Sequence, residues 1–333
     1  MSKKADLSWS VDGLVHSFNY YRYEAPTAIE NLPAPLVRDI LGNNYIDTTI
    51  EDDKQYYWRI GAVRDGNEKI SSESAFSTMD WLKQWILENV AVGDAWIVRD
   101  AVTNESNEVV SIPSFSNSEA SMDVVSNTKP IKTGNYLNAS QHRLRLADTR
   151  KERWKFLQER NRDKYICLAL RFTDVESALY SLVSTARQSS SNIGFVLSAD
   201  FRPEGSNQHT NAYGIFQCTV INASNPIGTS IYGSANNSAT RGVDAVVEII
   251  QRASTTDNVA GFYQNAVDLG QNMVSKQVRP VSTATPTDVL NLLADSSGTT
   301  NFKGRFYGAL VNDTLPNDID RSKIRKYFQD LMI

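Results

Sequence analysis

Residues 55–76 read QYYWRIGAVRDGNEKISSESAF. Neighbouring side chains point to opposite faces of a strand, so the pattern over 55–63 predicts one apolar face and one mixed face. The first face carries Tyr56, Trp58, Ile60 and Ala62, and the second carries Tyr57, Arg59 and Gly61. The stretch Arg64-Asp65-Gly66-Asn67 is a turn signal between two such runs. We therefore predict a β-hairpin over 55–76.

The composition is that of a globular chain. With 333 residues, 41% hydrophobic and 22% charged, it is typical of neither a disordered nor a collagen-like protein. The length favours two domains, because single cores stop growing near ~250–300 residues. A net charge of −4 argues against nucleic-acid binding as the main task. No apolar run approaches the roughly 18–20 residues of a membrane span, and the start MSKKADLSWS has no apolar core, so we expect no secretory signal.

The first 78 residues consist of short strand-like segments separated by turns, which indicates a β-sandwich. Trp9, the run Tyr20-Tyr21-Arg22-Tyr23, and Tyr56-x-Trp58-x-Ile60-x-Ala62 resemble a fibronectin type III domain. Tyr56 is similar to the tyrosine that pins the corner of such sandwiches. The run YYWRIGAVRDGNEKISSE is closest to variants found in bacteriophage structural proteins. Only six residues precede Leu7, so the usual first strand is missing or very short, and we expect a neighbouring chain to cover that edge.

Residues 78–90 switch to a helical period, with Leu82, Trp85 and Ile86 on one stripe. Thr78 is the expected N-cap, and Asp80 falls in the first turn. The region 79–134 is interpreted as a connector helix followed by linker strands and loops.

From residue 135 onward, short strands recur without helices between them, which predicts antiparallel sheets. Three segments resemble concanavalin A-like, or laminin G-like, jelly rolls. They are NYLNASQHRLRLADTRKERWKFLQE, SLVSTARQSSSNIGFVLSADF, and a strand Phe302-x-Gly304-x-Phe306-Tyr307-Gly308 before a closing helix 318–332. In the hairpin near 263, Tyr263 and Asn265 match that family, whereas Ala266 stands where Gly is usual. The expected fold is all-β: an immunoglobulin-like sandwich over 1–78 and a jelly roll over 135–333.

Cysteine and histidine are too sparse to suggest a metal or redox site. Cys167 and Cys218 lie in apolar strand-like runs and are interpreted as buried free thiols, with a single disulfide as the alternative. The three histidines are isolated, and no spacing resembles a zinc site. We expect neither a metal nor another cofactor.

The sequence contains no recognisable catalytic pattern. Glycan hydrolases related to this jelly roll need two carboxylates flanking the sugar bond, and their Glu-x-Asp-x-x-Glu pattern does not occur. Asp244 and Glu248 could share a strand face, but we interpret them as solvent-facing acids. The pairs Asp52-Asp53 and Asp318-Asp320 are assigned to a turn and to a helix start. No nucleophile or phosphate-loop motif occurs, so we assign no catalytic residue, and the ligand-binding residues stay open.

Residues 142–164 contain nine Lys/Arg and four Asp/Glu. Such a run could grip a phosphate backbone or an acidic glycan, but a solvated or salt-bridged face is the favoured interpretation. Acidic residues between 24 and 53 could complement this run between copies of the chain.

The two resemblances together imply a non-enzymatic structural component of a bacteriophage virion, such as a tail or head fibre or a decoration protein, assembled in the host cytoplasm. The expected partners are other virion proteins, copies of itself and host-surface carbohydrate. A purely architectural role and an envelope polysaccharide hydrolase are the alternatives. These expectations rest on fold analogy.

Overall fold

The computed structural model divides the chain into two compact units, Met1–Gln84 and Trp85–Ile333. It describes residues 4–51, 54–78, 80–115, 121–125, 129–140, 142–147, 149–159, 161–172, 179–186, 193–201, 215–221, 230–234, 239–253, 260–270, 285–294 and 302–333. The all-β prediction is confirmed, because antiparallel strands build both units.

The described residues of the first unit form seven strands in two sheets. These are β1 Ala5–Ser8, β2 Ser17–Tyr23, β3 Val37–Ile40, β4 Asn44–Asp47, β5 Gln55–Arg64, β6 Asn67–Ile70 and β7 Ser74–Ser77. Strands β1 and β4 pair to form one sheet, and the other has the order β3-β2-β5, with β6 and β7 both pairing with β5. The two sheets share a core around Leu7, Phe18, Tyr20 and Ile60. In the described part of the chain β1 pairs only with β4, so its other edge has no partner strand.

The hairpin predicted from residues 55–76 is present. Asp65 and Gly66, both with positive φ (50° and 78°), form its turn, as hairpin turns of the primed types require. Tyr56 and Ile60 are buried, and Trp58 and Ala62 pack against the same core. The Tyr56 hydroxyl accepts a 3.0 Å hydrogen bond from the backbone N–H of Glu51, which ties the ring to the preceding turn as a corner tyrosine does.

Helix α1 spans Trp81–Asn89, and its N-cap differs from the prediction. The Asp80 carboxylate accepts from the backbone N–H of Leu82 at 2.9 Å, whereas the Thr78 hydroxyl is used by backbone groups of Glu51 and Lys54. A charged oxygen two residues closer to the helix therefore takes the capping position. Leu82, Trp85 and Ile86 are buried, as the stripe predicted.

The second unit contains two large sheets and helix α2, Asp318–Asp330. Its strands are β8 Gly93–Ile97, β9 Val102–Thr103, β10 Val109–Ile112, β11 Met122–Val124, β12 Lys132–Thr133, β13 Tyr136–Ser140, β14 Leu144–Leu146, β15 Lys164–Phe172, β16 Leu179–Ser184, β17 Gly194–Asp200, β18 Ile215–Ile221, β19 Ser230–Gly233, β20 Ala245–Gln251, β21 Ala260–Gln264, β22 Val267–Asp268, β23 Asn291–Leu292 and β24 Lys303–Asn312. Short 3-10 helices span Val98–Asp100 and Lys151–Leu157 in this unit, and Ile29–Asn31 in the first unit.

Within the described residues, one sheet has nine strands in the order β19-β18-β17-β16-β23-β14-β11-β10-β9. The other has eight, in the order β12-β13-β24-β15-β20-β21-β22, with β8 also pairing with β24. Residues 93–124 were interpreted as part of a linker, yet β8 to β11 complete these two sheets. Their strands are two to five residues long, too short for alternation to distinguish them from loops.

The two sheets enclose one apolar core. Ile166, Leu168, Leu170 and Phe172 point into it from β15, as alternation predicted, and Phe302 and Phe306 join them from β24. Cys167 and Cys218 are buried and free, which confirms the interpretation as thiols. Among the described helices, none is long and apolar enough to cross a membrane.

Helix α2 packs on the outer face of the eight-stranded sheet, against β15 and β20. Asn317 caps it by accepting from the backbone N–H of Asp320. Ile324, Phe328 and Leu331 are buried, so the predicted apolar stripe is the face that covers the sheet.

The basic run 142–164 is largely paired within its own unit. Arg145 contacts Asp288 at 2.9 Å, Arg162 contacts Asp313 at 2.5 Å, and Arg153 lies 3.8 Å from Asp94. These contacts agree with the salt-bridged interpretation rather than with an open cationic surface.

Candidate functional site

A cleft of about 450 Å³ opens in the second unit where β20, β21 and the start of α2 meet. Its lining combines an aromatic ring, charged side chains and apolar surface. The lining residues are Ile250, Arg252, Ala260, Gly261, Tyr263, Asp268, Gly270, Leu315, Pro316, Asp318 and Arg321. Concave sites that mix an apolar floor with a few polar groups are typical of ligand-binding pockets.

Tyr263 and Arg321 form the centre of this cleft. The Arg321 guanidinium carbon lies 4.0 Å from the centroid of the Tyr263 ring, a cation–π distance. Gly261 precedes Tyr263 by two residues on the same strand face, and a Cβ there would lie 2.7 Å from the ring. The missing side chain of Gly261 is therefore what allows the ring to lie across the strand.

A buried carboxylate holds Arg321 in place. Glu248 on β20 is completely buried and accepts hydrogen bonds from Nε of Arg321 at 2.9 Å and from Nε of Arg325 at 2.7 Å. The Tyr165 hydroxyl donates to the same carboxylate at 2.9 Å. Charge-assisted bonds of this kind are about twice as strong as neutral ones, so Arg321 is oriented before any ligand arrives.

The interpretation of Asp244 and Glu248 as solvent-facing acids is wrong for Glu248. Both do point away from the core, but α2 covers the Glu248 end of this face. Asp244 lies at the uncovered end and accepts a 2.8 Å hydrogen bond from Tyr307.

The electrostatics of the cluster follow from burial and charge. Burial alone would lower the pKa of Arg321, but the hydrogen bond and charge of Glu248 outweigh it and raise that pKa above its ordinary value. Burial, with the neighbouring charge of Glu248, raises the pKa of Tyr165 and of Cys167 well above their usual ranges. At neutral pH Arg321 is therefore a cation, Tyr165 a neutral phenol and Cys167 a neutral thiol.

Carboxylates at the cleft complement this cation. Asp268 accepts from the backbone N–H of Gly270 at 2.8 Å, and Asp318 stands in the first turn of α2, where the helix dipole favours it. Carboxylates, guanidinium groups and a tyrosine hydroxyl supply the acceptors and donors that a polyhydroxylated ligand needs. Asp320, the other acid of this helix start, instead accepts from the Trp85 indole and Asn317.

Sequence reasoning singled out Asp318 only as a helix-start acid and did not find the cleft. Asp52 and Asp53 lie outside the described residues. Among the residues described, no group of three His, Cys, Asp or Glu side chains could hold a metal ion. A usable signal was present in the closing helix, because Arg321 and Arg325 are one turn apart and flank its apolar stripe.

A second concavity, of about 580 Å³, lies beside β1 in the first unit. Trp9, Phe18, Trp58 and Ile60 line its apolar part. The Trp9 indole nitrogen is buried without a hydrogen-bond partner. This groove adjoins the edge that the sequence predicted to be open.

Comparisons with known proteins gave only distant likenesses. No protein-family model matches the chain, and no curated protein matches it. Among solved structures, the sialidase carbohydrate-binding module CBM40 of Ruminococcus gnavus bound to α2,3-sialyllactose has 15% identity and a TM-score of 0.36, over 49% of this chain and 82% of that one. A botulinum neurotoxin serotype D/C binding domain has 12% identity and a TM-score of 0.43, over 74% of this chain and 53% of that one. At this level the likeness assigns no ligand.

Proposed function

We propose that this protein is a non-enzymatic structural component of a bacteriophage particle, a tail or head appendage, fibre or decoration, and that its second unit contacts host-surface carbohydrate. The phage assignment rests on the resemblance of the first unit, centred on residues 56–73, to fibronectin-like modules of phage proteins. The proposed location is the virion.

The cleft at Tyr263 carries the carbohydrate part of the proposal. The faces of the Tyr263 ring lie against Gly261 and Arg321, so the ring offers a sugar its edge and its hydroxyl. Arg321 is already fixed by Glu248, so little side-chain entropy remains to be lost when a ligand binds. Asp268 and Asp318 add acceptors for sugar hydroxyls.

A glycan array of bacterial capsule and lipopolysaccharide fragments tests this assignment. We expect the full chain to bind a subset of the sugars and Tyr263→Ala to lose that binding with an unchanged melting temperature. Tyr57→Ala, which removes a half-buried tyrosine of the first unit, is the matched control. Absence of binding by the wild-type chain would instead favour the purely architectural role.

One observation favours testing for hydrolysis as well. Two carboxylates, Asp268 and Asp318, line the same cleft, and glycosidases use a carboxylate pair. Incubation with host capsule or lipopolysaccharide followed by chain-length analysis separates the two roles. If the wild type shortens the polysaccharide and the Asp268→Asn and Asp318→Asn variants do not, hydrolysis rather than binding alone is the function of the cleft.

Assembly with further copies is the other part of the proposal. The open edge of β1 and the apolar groove beside it are surfaces that another chain could cover. Many of the acids between 24 and 53 have partners in their own unit, such as Asp47 with Arg22 at 2.6 Å and Glu24 with Lys54 at 2.8 Å. The groove is therefore better supported than charge complementarity as a contact between copies. Sedimentation showing only monomer, with single isolated copies on labelled particles, would contradict it.

A further inference from the structure

A second polar surface lies on the outer face of the eight-stranded sheet, away from the cleft. There β24 runs between β13 and β15, and its register places Arg305 directly opposite Arg171 on one side and Asn138 on the other. Alternation points these side chains outward, because Leu170 and Phe306, their neighbours in the ladder, point into the core.

Tyrosines hold the Arg305 side of this surface. The guanidinium carbon of Arg305 lies 4.7 Å from the centroid of the Tyr136 ring, and the rings of Tyr136 and Tyr307 are 5.5 Å apart. The hydroxyl of Tyr307 also accepts a hydrogen bond from Arg305 and donates one to Asp244. A guanidinium lying on a ring keeps its edge donors available in a fixed plane.

In the part of the chain that the structure describes, the charges on this surface do not cancel. Arg171 lies 4.0 Å from Asp244, and Asp244 is also engaged by Tyr307. Among the described residues, one carboxylate, Asp244, therefore faces two guanidiniums. Like charges directly opposite one another on neighbouring strands are unfavourable, and the Arg171 side chain is 35% exposed, so an external anion can reach the pair.

We propose that Arg171 and Arg305 bind the acid group, a carboxylate or a sulfate ester, of an anionic polysaccharide. Paired guanidiniums suit the planar or tripodal oxygens of such groups. The half-buried ring of Tyr136 and the exposed amide of Asn138 supply the contact surface and hydrogen bonds that a sugar needs beside the anion, whereas Tyr307 is buried and only positions Arg305. This site is separate from the cleft and does not depend on it.

Defined polymers test the assignment. Dextran sulfate presents sulfate esters, polygalacturonate presents carboxylates, and dextran presents neither. We expect the full chain to bind at least one of the two polyanions in low salt, with affinity falling as salt rises, and not to bind dextran. Binding of one polyanion alone would identify which acid group the arginines take.

Charge-matched variants locate the site. Arg171→Gln/Arg305→Gln should weaken polyanion binding at least tenfold, whereas Arg38→Gln/Arg64→Gln, which removes two exposed arginines of the first unit, should leave it within twofold. Tyr136→Ala, which keeps both charges, should weaken it several-fold. A thermal melt of each variant checks that it is folded.

The outcomes separate this site from the cleft. Tyr263→Ala should retain polyanion binding even if it loses array binding. Polyanion binding equal to wild type in the folded Arg171/Arg305 double variant would overturn the inference, as would no polyanion binding by the wild-type chain.

Discussion

Glu248 accepts a 2.7 Å hydrogen bond from Nε of Arg325 although the Glu248 side chain is fully buried. The bond joins the eight-stranded sheet of the second unit to helix α2, and Arg321 adds a second hydrogen bond to the same carboxylate. Helix docking and cleft geometry therefore depend on one charged group.

Replacing Glu248 with Gln should destabilise the second unit. The change keeps the shape but leaves two guanidiniums without their counter-ion. Unpairing a buried charge costs about 3–5 kcal/mol. The arginine side chains are 15% and 17% exposed, so water offsets part of this, and we expect a loss of about 2–3 kcal/mol. Urea unfolding measures it, with the exposed Glu105→Gln as control. Equal midpoints for the two variants would contradict the role given to Glu248.

Lys164 should make stability depend on pH. Burial lowers its pKa from 10.5 to about 7, while its Nζ donates to the backbone oxygen of Glu159 and to Gln251. Between these pKa values the unfolded chain holds a proton that the folded chain has released. The free energy of unfolding should therefore rise with pH, by up to about 1.4 kcal/mol per pH unit from this group. Below pH 7 both states are protonated, and the contribution becomes constant.

Denaturant unfolding of wild type and Lys164→Met at pH 7, 8 and 9 isolates this contribution, because all other titrating groups are shared. We expect the wild type to gain stability relative to the variant as pH rises. Parallel curves would show that the folded-state pKa is not lowered.

Ala266 occupies a turn position that favours glycine. Asn265 and Ala266 connect β21 to β22 with φ values of 51° and 71°. Ala266→Gly should stabilise the second unit by about 0.5–1 kcal/mol, since glycine adopts this region without steric cost. Ala75→Gly, in the exposed strand β7, should instead destabilise the first unit by a similar amount. A lower melting temperature for Ala266→Gly would contradict the turn assignment.

Phe306 is a core residue of the second unit alone. It is fully buried, and the register places it opposite Leu137 on one strand and Leu170 on the other. Phe306→Ala should cost about 3–5 kcal/mol and lower the melting transition of the second unit, leaving the first unchanged in calorimetry. Leu41→Ala, at an 86% exposed side chain, should change neither. Wild-type melting combined with lost ligand binding would make Phe306 a surface anchor.

Gly261→Ala separates cleft geometry from stability. The added Cβ would press on the Tyr263 ring, and the backbone of Gly261 is not in the left-handed region, so only the ring should move. We expect array binding to fall several-fold with a melting temperature within a few degrees of wild type. Gly42→Ala, where a Cβ meets nothing closer than 3.7 Å, is the control.

Local pattern was sufficient for the strands and helices that carry a long periodic signal. Alternation assigned both faces of β5 and the core face of β15, and the helical period assigned the buried stripes of α1 and α2. Between residues 91 and 134 the sequence predicted short linker strands but not the bounds of β9 to β11, because two to four residues hold no period.

The cleft could not be predicted because its parts are distant in sequence. Tyr263 and Arg321 come from different elements, and Glu248 was assigned to solvent because nothing in its strand indicates that a helix packs over it. An acid amid apolar neighbours, matched by two arginines one turn apart on a later helix, is the pattern to look for.

The pairing of β8 with the end of β24 also governs the order of events during synthesis. Gly93 lies opposite Asn312. Strand β8, which is synthesised early in the second unit, therefore cannot pair with β24 until more than two hundred further residues have been synthesised. Such non-local pairing slows folding and leaves unpaired strand edges exposed meanwhile. The first unit, whose pairings lie within residues 5–77, can fold while the ribosome is still translating. We expect the second to complete its sheet only after residue 312 has emerged, which makes it the unit more dependent on chaperones.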